Sequence, residues 1–245
     1  MSKSSVTAAL LIIGNEILSG QTRDANLAFL GERLAALGVR LKEARVVADD
    51  ERAIVAAVNE LRPRFDYVFT TGGIGPTHDD ITSAAVAKAF GRPMTLHPEA
   101  HRILTGYYKP GELNEARLRM AHTPEGAELV ENPISGAPGF QVENVFVLAG
   151  IPAVMQAMFD SLRHRLIGGA PLLSHTVVAE LPEGRMAEAL GAIQAANPDV
   201  EIGSYPFHKE GRYGSRLVVR ATDPGRLALV RDEVAALVRA LSEVG

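Results

Sequence analysis

Short apolar runs alternate with segments of helical periodicity through the N-terminal part of the chain. Residues 8–13 are an uninterrupted apolar run typical of a buried strand, and the leucines of residues 25–37 then recur at helical spacing. The same patterns predict further strands and helices, at residues 39–48 and 67–70 and at residues 50–61 and 81–90 respectively. Strands that alternate with helices favour parallel pairing, with helices covering both faces of the sheet. The sequence therefore predicts a three-layer α/β/α domain built on a mostly parallel sheet.

The pattern changes around residues 168–171, which read Gly-Gly-Ala-Pro. The segment beyond them predicts a strand, a helix, two strands and a helix, at residues 175–180, 185–195, 200–205, 216–221 and 226–241. This βαββα order is typical of a small α+β unit with its own sheet. We therefore predict two domains, residues 1–168 and 169–245.

Composition limits the classes of function. The chain has no cysteine, which excludes disulfides and thiolate metal sites, and its net charge of −4 gives no overall footprint for nucleic acid. The apolar run at residues 8–13 is too short for a signal peptide or a membrane helix, so we expect a cytoplasmic protein with no membrane partner.

One short motif bears on nucleic acid. Residues 211–214, Gly-Arg-Tyr-Gly, have the G-x-x-G spacing of a nucleic-acid-binding KH loop. That loop joins two helices, whereas the flanking residues here read as strands, so a hairpin turn is favoured. Nucleic acid is accordingly an unlikely partner.

Two loops are placed to bind a ligand, because ligands of parallel sheets bind beyond the carboxyl ends of the strands. Gly14-Asn15-Glu16 follows the first strand, and residues 72–80 follow the strand at 67–70. Glycines let backbone amides approach an anion closely, whereas aspartates repel one. Asp79 or Asp80 could cap the helix predicted to begin at Ile81, or could hold a cation such as Mg²⁺ that bridges phosphate oxygens.

Neither of two common nucleotide signatures is present. The Walker loop requires Lys and then Ser or Thr after its last glycine, but Gly75 is followed by Pro76 and Thr77. The dinucleotide fingerprint requires three spaced glycines after the first strand, and Gly14 stands alone there. Any nucleotide site must therefore be of another kind.

Four motifs, taken in order, resemble the CinA branch of the MoaB/MogA molybdopterin-binding superfamily. They are Gly14-Asn15-Glu16-Ile17-Leu18-Ser19-Gly20 with Asp24-Ala25-Asn26, the segment Thr70-Thr71-Gly72-Gly73-Ile74-Gly75-Pro76-Thr77-His78-Asp79-Asp80-Ile81-Thr82, Ser135-Gly136-Ala137-Pro138-Gly139-Phe140, and Gly150-Ile151-Pro152. The C-terminal unit resembles the small KH-like domain that follows the core in CinA proteins, and the amidase domain that many of them carry is missing from this sequence. One position departs from the family pattern: Val154 stands where relatives usually have glutamate.

The resemblance implies a site for a phosphorylated small molecule, either molybdopterin or an adenine nucleotide. In the CinA branch it implies metal-dependent cleavage of pyrophosphates such as ADP-ribose or FAD. Elsewhere in the superfamily it implies molybdopterin binding or adenylylation, and a non-catalytic interaction protein is the third alternative. A homo-oligomer is also expected from superfamily precedent.

The resemblance also assigns roles to residues. Asp80, Asp79 and His78 are the catalytic candidates, and Asp80 with Glu16 and Asp24 is expected to hold Mg²⁺ or another divalent cation. The amides of residues 72–75 would grip one phosphate. The residues expected at the ligand are Gly14, Asn15, Glu16, Ser19, Asn26, Thr71, Gly72, Gly73, Ile74, Gly75, Pro76, Thr77, Thr82, Ser135, Gly136, Pro138, Gly139, Gly150 and Pro152.

Overall fold

The computed structural model describes residues 6–209 and 212–243. The chain forms two compact units, Met1–Gly169 and Ala170–Gly245. The sequence placed the division after Gly168, and the structure places it after Gly169.

The first unit is an α/β domain, whose elements follow in chain order. They are β1 (Val6–Ile13), α1 (Asn15–Leu18), α2 (Asn26–Ala36), β2 (Val39–Val47), α3 (Glu51–Leu61), β3 (Tyr67–Thr71), α4 (Thr82–Ala89), β4 (Met94–Leu96), α5 (Pro98–Tyr107), α6 (Glu115–Leu118), β5 (His122–Pro124), β6 (Glu128–Val130), β7 (Gly139–Val142), β8 (Val145–Leu148) and α7 (Pro152–Leu162). Six of the strands form one sheet in the order β2-β1-β3-β8-β7-β6. The pairs among β2, β1, β3 and β8 are parallel, and β7 and β6 continue the sheet antiparallel, so the predicted mostly parallel sheet is confirmed.

Side chains of β1 alternate between the two faces of this sheet. Ala8, Leu10 and Ile12 belong to a core cluster that also contains buried side chains of α2 and α7. Ala9, Leu11 and Ile13 belong to a second cluster with buried side chains of α3 and α4. Because both faces of β1 are buried from Ala8 onward, residues 8–13 are apolar without interruption and lack the polar alternation of a half-buried strand.

Two features of this unit were not predicted. The strands β4 and β5 pair antiparallel as a separate two-stranded sheet. The short helix α1 follows β1 directly, and its four residues are too few to show helical periodicity.

The second unit has the predicted βαββα order. Its elements are β9 (Leu173–Ala179), α8 (Ala187–Ala196), β10 (Glu201–Lys209), β11 (Arg212–Ala221) and α9 (Pro224–Glu243). The sheet has the order β10-β11-β9 and is antiparallel throughout. Buried side chains from the sheet and both helices, such as Leu217, Leu190 and Val230, form its own core.

The predicted hairpin turn lies partly outside the described residues, since residues 210 and 211 are not described. Tyr213 and Gly214, the last two residues of the G-x-x-G spacing, belong to β11 and pair with His208 and Phe207 of β10. They therefore lie in a strand, not in a loop between two helices.

None of the helices described within residues 6–209 and 212–243 combines the length and the apolar character that crossing a membrane requires.

Candidate functional site

A depression lies at the carboxyl ends of β1 and β3, where the parallel sheet was expected to bind a ligand. Six residues of the predicted site line it: Glu16, Asp24, Asn26, Thr71, Gly150 and Pro152. They come from three loops that are far apart in sequence. We call this depression the β1 pocket.

The loop after β1 is fixed to the neighbouring strand by its backbone. Gly14 N donates to Val47 O at 3.2 Å, and Asn15 N donates to Asp49 Oδ2 at 2.8 Å. The carboxylate of Glu16 lies against Gly14, where a Cβ would come within 2.5 Å of Glu16 Oε1. Glycine at position 14 therefore gives the Glu16 carboxylate its place beside the end of the strand.

Asp24 and Asn26 form the second wall of the β1 pocket at the start of α2. Asp24 Oδ1 accepts a hydrogen bond from Leu27 N at 2.8 Å, which holds the carboxylate at the first turn of the helix. Asn26 is only 3% exposed, and its Nδ2 donates to Gly150 O at 2.9 Å. The side-chain amide thereby joins the loop before α2 to the loop after β8.

Two buried oxygen atoms at this pocket have no protein partner among the described residues. They are Oδ1 of Asn26 and Oγ1 of Thr71, which is 1% exposed. Buried polar atoms in folded proteins are nearly always hydrogen-bonded, and exceptions occur at functional sites. These atoms therefore mark the pocket as a place where a ligand contributes the missing interactions.

The glycine loop meets the pocket at Gly72. Its φ is +105°, and a Cβ there would lie 2.1 Å from Ile13 O at the end of β1. Gly72 N donates to Leu148 O at 3.1 Å, and Gly150 packs directly on Gly72. Only glycine allows this close approach of three strand ends.

Beyond Gly72 the loop turns back on its own helix. Gly73 has φ +67°, and a Cβ there would lie 2.3 Å from Thr82 Oγ1. Thr82 N donates to Gly73 O at 2.9 Å, and the helix cap is Ile81, with no side-chain hydrogen bond. The interpretation of Asp79 or Asp80 as the cap of α4 is therefore wrong, because the backbone of Gly73 takes the first amide of the helix instead.

Asp80 and Asp79 are bound to Thr77 within the loop. Asp80 Oδ2 accepts from Thr77 N at 2.8 Å and lies 2.5 Å from Thr77 Oγ1, which is also 2.6 Å from Asp79 Oδ1. The hydroxyl of Thr77, together with the Asp79 backbone and His78, lowers the pKa of Asp79. His78 is almost fully exposed and makes only a 4.0 Å contact with Asp79.

The remaining loop residues have structural contacts. Arg119 Nη2 donates to Pro76 O at 2.7 Å, and a Cβ at Gly75 would meet Asp80 Oδ2 at 2.7 Å. Ile74 packs partly against both core clusters. Ile74, Gly75 and Pro76 thus shape the loop that surrounds Asp80.

The predicted metal ligands are divided between the two loops. Glu16 and Asp24 line the β1 pocket, whereas Asp80 is engaged by Thr77. Within residues 6–209 and 212–243 no three His, Asp or Glu side chains assemble into a group that could hold a metal. A cation at the β1 pocket would therefore have at most the two carboxylates of Glu16 and Asp24 and would need other oxygen atoms.

Residues 135–139, predicted at the ligand, form a turn around Asn132. Asn132 Nδ2 donates to Ser135 Oγ at 2.6 Å, and Gly136 N donates to Asn132 O at 3.1 Å. A Cβ would clash with Tyr107 at Gly136, and with Val147 O at Gly139. These residues, and buried Pro138 between them, serve the approach to β7 and do not line the β1 pocket.

Ser19 also serves a local turn, since its hydroxyl donates to Glu16 O at 3.2 Å. Val154, the departure from the family pattern, is 6% exposed and belongs to the core of α7. A carboxylate at this position would have to be buried in an apolar cluster.

Two residues of the pocket lining, Arg23 and Thr22, were not among those predicted from the sequence. Arg23 brings a positive charge to a pocket that otherwise carries two carboxylates, and it is exposed, as a residue meeting a phosphate would be. Its position between Gly20 and Asp24, in the loop already singled out, was the available signal.

Comparisons with known proteins agree with this architecture. A family model described as a probable molybdopterin binding domain matches residues 9–169, and one described as the middle domain of FAD synthase matches residues 171–244. The crystal structure of the protein CinA, of unknown function, from Thermoplasma acidophilum is 32% identical, with a TM-score of 0.63 over 66% of this chain and 99% of that chain.

Two longer relatives match most of this chain. A CinA-like protein of Desulfosudis oleivorans is 35% identical over 80% of the chain and 51% of the relative. A probable FAD synthase of Caenorhabditis elegans is 34% identical over 87% of the chain and 46% of the relative. The chain thus spans about half the length of each.

Proposed function

Because the chain belongs to the molybdopterin-binding domain family, in its CinA-like branch, we propose that its β1 pocket binds a nucleotide pyrophosphate and hydrolyses it. The substrate class is a phosphoanhydride such as ADP-ribose or FAD. The match of the second unit to the middle domain of FAD synthase, and the relative named as a probable FAD synthase, support a flavin or adenine nucleotide as ligand.

One observation carries this proposal. At the carboxyl ends of β1 and β3 the structure brings together two carboxylates, one guanidinium and two buried unpaired oxygens, beside a glycine at φ +105°. This mixture of charges suits a phosphorylated ligand that binds together with a cation. The carboxylates alone would repel a phosphate, and the arginine alone would not bind a cation. An ordinary structural loop satisfies its buried polar atoms internally.

The residues of the pocket then have distinct roles. Arg23 pairs with a phosphate oxygen, and the Thr71 hydroxyl donates a hydrogen bond to the ligand. Glu16 and Asp24 would hold a divalent cation, for which Asp80 stays a further predicted ligand. When bound, such a cation neutralises phosphate charge and lowers the pKa of a bound water.

The reaction is a simple hydrolysis. The oxygen of water forms a bond to one phosphorus, and the bond from that phosphorus to the bridging oxygen breaks. The bridging oxygen leaves with the other phosphate, so ADP-ribose gives AMP and ribose 5-phosphate, and FAD gives AMP and FMN. The proton released from water passes to solvent.

The test is to incubate the purified protein with ADP-ribose or FAD, with and without Mg²⁺, and to measure AMP by chromatography. We expect AMP with Mg²⁺ and its loss on chelation by EDTA. A folded protein that releases no AMP from either substrate with Mg²⁺, Mn²⁺ or Co²⁺ would overturn the proposal.

A second function is favoured by the family match over residues 9–169, whose description names molybdopterin binding. A pterin carries N–H donors that the Asn26 Oδ1 acceptor would recognise. Titration of the protein with molybdopterin, measured by fluorescence, distinguishes molybdopterin binding from hydrolysis of a nucleotide pyrophosphate. Binding of molybdopterin without hydrolysis of ADP-ribose or FAD would favour this alternative.

A further inference from the structure

Most of the edge strands of this protein carry features that keep other strands away. An edge strand leaves N–H and C=O groups unpaired, and folded proteins protect such edges with charged side chains, with proline or by keeping the strand short. In the first unit, the edge strand β2 has four charged residues from Arg40 to Arg45, and the opposite edge β6 has only three residues. In the second unit, the edge strand β10 has Pro206 near its centre, which removes a donor from the open side.

Strand β9 (Leu173–Ala179) is the remaining edge of these two sheets, and its described residues have none of this protection. Its sequence, LSHTVVA, contains no proline and no Asp, Glu, Lys or Arg. It pairs with β11 in one unbroken register, without a bulge. Within residues 6–209 and 212–243 no backbone-to-backbone hydrogen bond joins it to a segment other than β11. About half of its backbone N–H and C=O groups therefore point away from the sheet.

The side chains of β9 are also open to solvent. Val178 is 57% exposed, and Ser174, His175 and Thr176 are exposed as well. The threonine and valines at residues 176–178 are β-branched and favour a pleated strand. An exposed, uncharged edge strand of seven residues is a template for pairing with another strand.

We propose that β9 pairs antiparallel with β9 of a second copy of this chain. The two three-stranded sheets then join into one sheet of six strands, in the order β10-β11-β9-β9-β11-β10. This inference goes beyond the proposed function and does not depend on it, because the β1 pocket is lined by residues of the first unit.

Symmetry determines the register of this pair. Residues directly opposite each other in an antiparallel pair have their side chains on the same face, so two identical strands related by a two-fold axis place one residue opposite itself. The register that overlaps all seven residues of β9 places Thr176 opposite Thr176 of the second copy. Ser174 then lies opposite Val178, and His175 lies opposite Val177.

The chemistry of these pairs favours a second copy as the occupant of the edge. Pairs of threonines and of β-branched residues stabilise a sheet, whereas like charges directly opposite each other destabilise it. His175 is the titratable side chain of the strand, and because it lies opposite Val177 it meets no charge in either protonation state. Uncharged side chains occupy the other six positions, so an extended segment rich in charge would find no opposite charge along β9. The strand is therefore complementary to itself over its whole length.

Cysteine cross-linking of the full chain tests this register, since the chain has no cysteine of its own. Thr176→Cys places two thiols directly opposite each other, with Cα atoms about 4.5–5.5 Å apart, which is within the range that a disulfide spans. We expect a covalent dimer on a non-reducing gel after mild oxidation with copper phenanthroline in air.

The neighbouring positions provide the controls. In Ser174→Cys alone or Val178→Cys alone, the two thiols lie four residues apart along the strands, about 14 Å, so neither variant should cross-link. An equimolar mixture of these two variants should give the covalent dimer, because Ser174 and Val178 lie opposite each other in the proposed register. Thr95→Cys, at an exposed threonine of β4, measures cross-linking by random collision.

A charge exchange tests the non-covalent assembly. Thr176→Lys and Thr176→Glu each place like charges directly opposite each other, so each should have a lower weight-average mass than the wild type in sedimentation equilibrium. An equimolar mixture of the two places opposite charges together and should regain the wild-type mass. Circular dichroism of each variant shows whether its fold is retained, as expected for substitutions of an exposed residue.

Two results would overturn the proposal. One is a Thr176→Cys variant that cross-links no faster than Thr95→Cys, which would leave the edge to an extended segment of another protein. The other is an equal weight-average mass for the wild type, Thr176→Lys and Thr176→Glu. Cross-linking of Ser174→Cys alone or Val178→Cys alone would show a different register and would likewise contradict the pairing of Thr176 with itself.

Discussion

The loops that follow β1 and β3 lie at the same edge of one sheet, yet their polar groups are used differently. After β3, the carboxylates of Asp79 and Asp80 are bound by Thr77 of the same loop. After β1, Glu16 and Asp24 line an open pocket beside an unpaired Asn26 oxygen. The two carboxylates after β3 are thus held by their own loop, although the Thr82 hydroxyl beside that loop is buried without a partner among the described residues. We assign ligand binding to the loop after β1 and support of the edge to the loop after β3.

The largest effect is expected where the two loops meet. Gly72→Ala places a methyl group 2.1 Å from Ile13 O, at a φ of +105°. We expect it to lower the free energy of unfolding by roughly 3 kcal/mol, from backbone strain and steric overlap together. Urea unfolding followed by circular dichroism measures this.

The matched control is Gly91→Ala, where φ is +63° but no atom lies within 4 Å of the added carbon. It should cost only the left-handed backbone, about 1 kcal/mol. Equal losses in the two variants would show that contact between the strand ends contributes nothing.

The carboxylate of Glu16, in the loop after β1, is expected to matter for activity and little for stability. Glu16→Gln is expected to slow release of AMP by on the order of 100-fold, because it removes a charged cation ligand. Its unfolding free energy should stay within about 0.5 kcal/mol of the wild type, since Glu16 is exposed. Glu32→Gln, an exposed residue of α2, is the control.

The rates are measured with ADP-ribose and Mg²⁺, and stability by urea unfolding. If Glu16→Gln and Glu32→Gln hydrolyse at the wild-type rate, Glu16 has no part in the reaction and the division between the loops fails.

The carboxylate of Asp80, in the loop after β3, is expected to matter for stability. Asp80→Ala removes the acceptor of Thr77 N, and we expect a loss of about 1 kcal/mol in unfolding free energy. Asp80→Asn retains an acceptor oxygen and should lose less. Thermal unfolding of both variants decides, and an Asp80→Ala variant as stable as the wild type would remove the structural role.

The smallest effect concerns protonation of Asp79. Its pKa is lowered chiefly by the Thr77 hydroxyl, so its contribution to stability is complete above the pKa of the unfolded chain. That contribution is lost as the pH falls through the lower pKa of the folded state. In Thr77→Val we expect the Asp79 pKa to rise towards the ordinary aspartate value.

Carboxyl ¹³C NMR titration measures this change. Asp199, whose pKa is lowered by Arg226, is the internal control and should not move. An Asp79 pKa that stays low in Thr77→Val would mean that the hydroxyl is not its cause.

The fold was accessible from sequence because residues 8–13 and β8 are uninterrupted apolar runs and helices such as α2 and α3 keep a regular period. The separate β4–β5 sheet was not, since three-residue strands carry too little pattern to be distinguished from coil. The order of strands in the main sheet also depends on contacts between segments distant in sequence, which periodicity does not encode.

The site was accessible in part. The two loops follow from the rule for parallel sheets, and glycine 72 from the need for close backbone approach. The bonding partner of each polar group could not be predicted from the sequence. Whether Asp80 bonds to Thr77 or faces a ligand depends on loop torsions, and the unpaired oxygen of Asn26 depends on a partner, Gly150, that is 124 residues away in sequence.

The most direct test of the division between the loops is to locate the cation. Crystals of the protein soaked with Mn²⁺, with diffraction data collected for anomalous scattering, give its position without reference to activity. We predict one anomalous peak in the β1 pocket, within bonding distance of oxygen atoms of Glu16 and Asp24. A peak at Asp79 and Asp80, with none in the pocket, would contradict it.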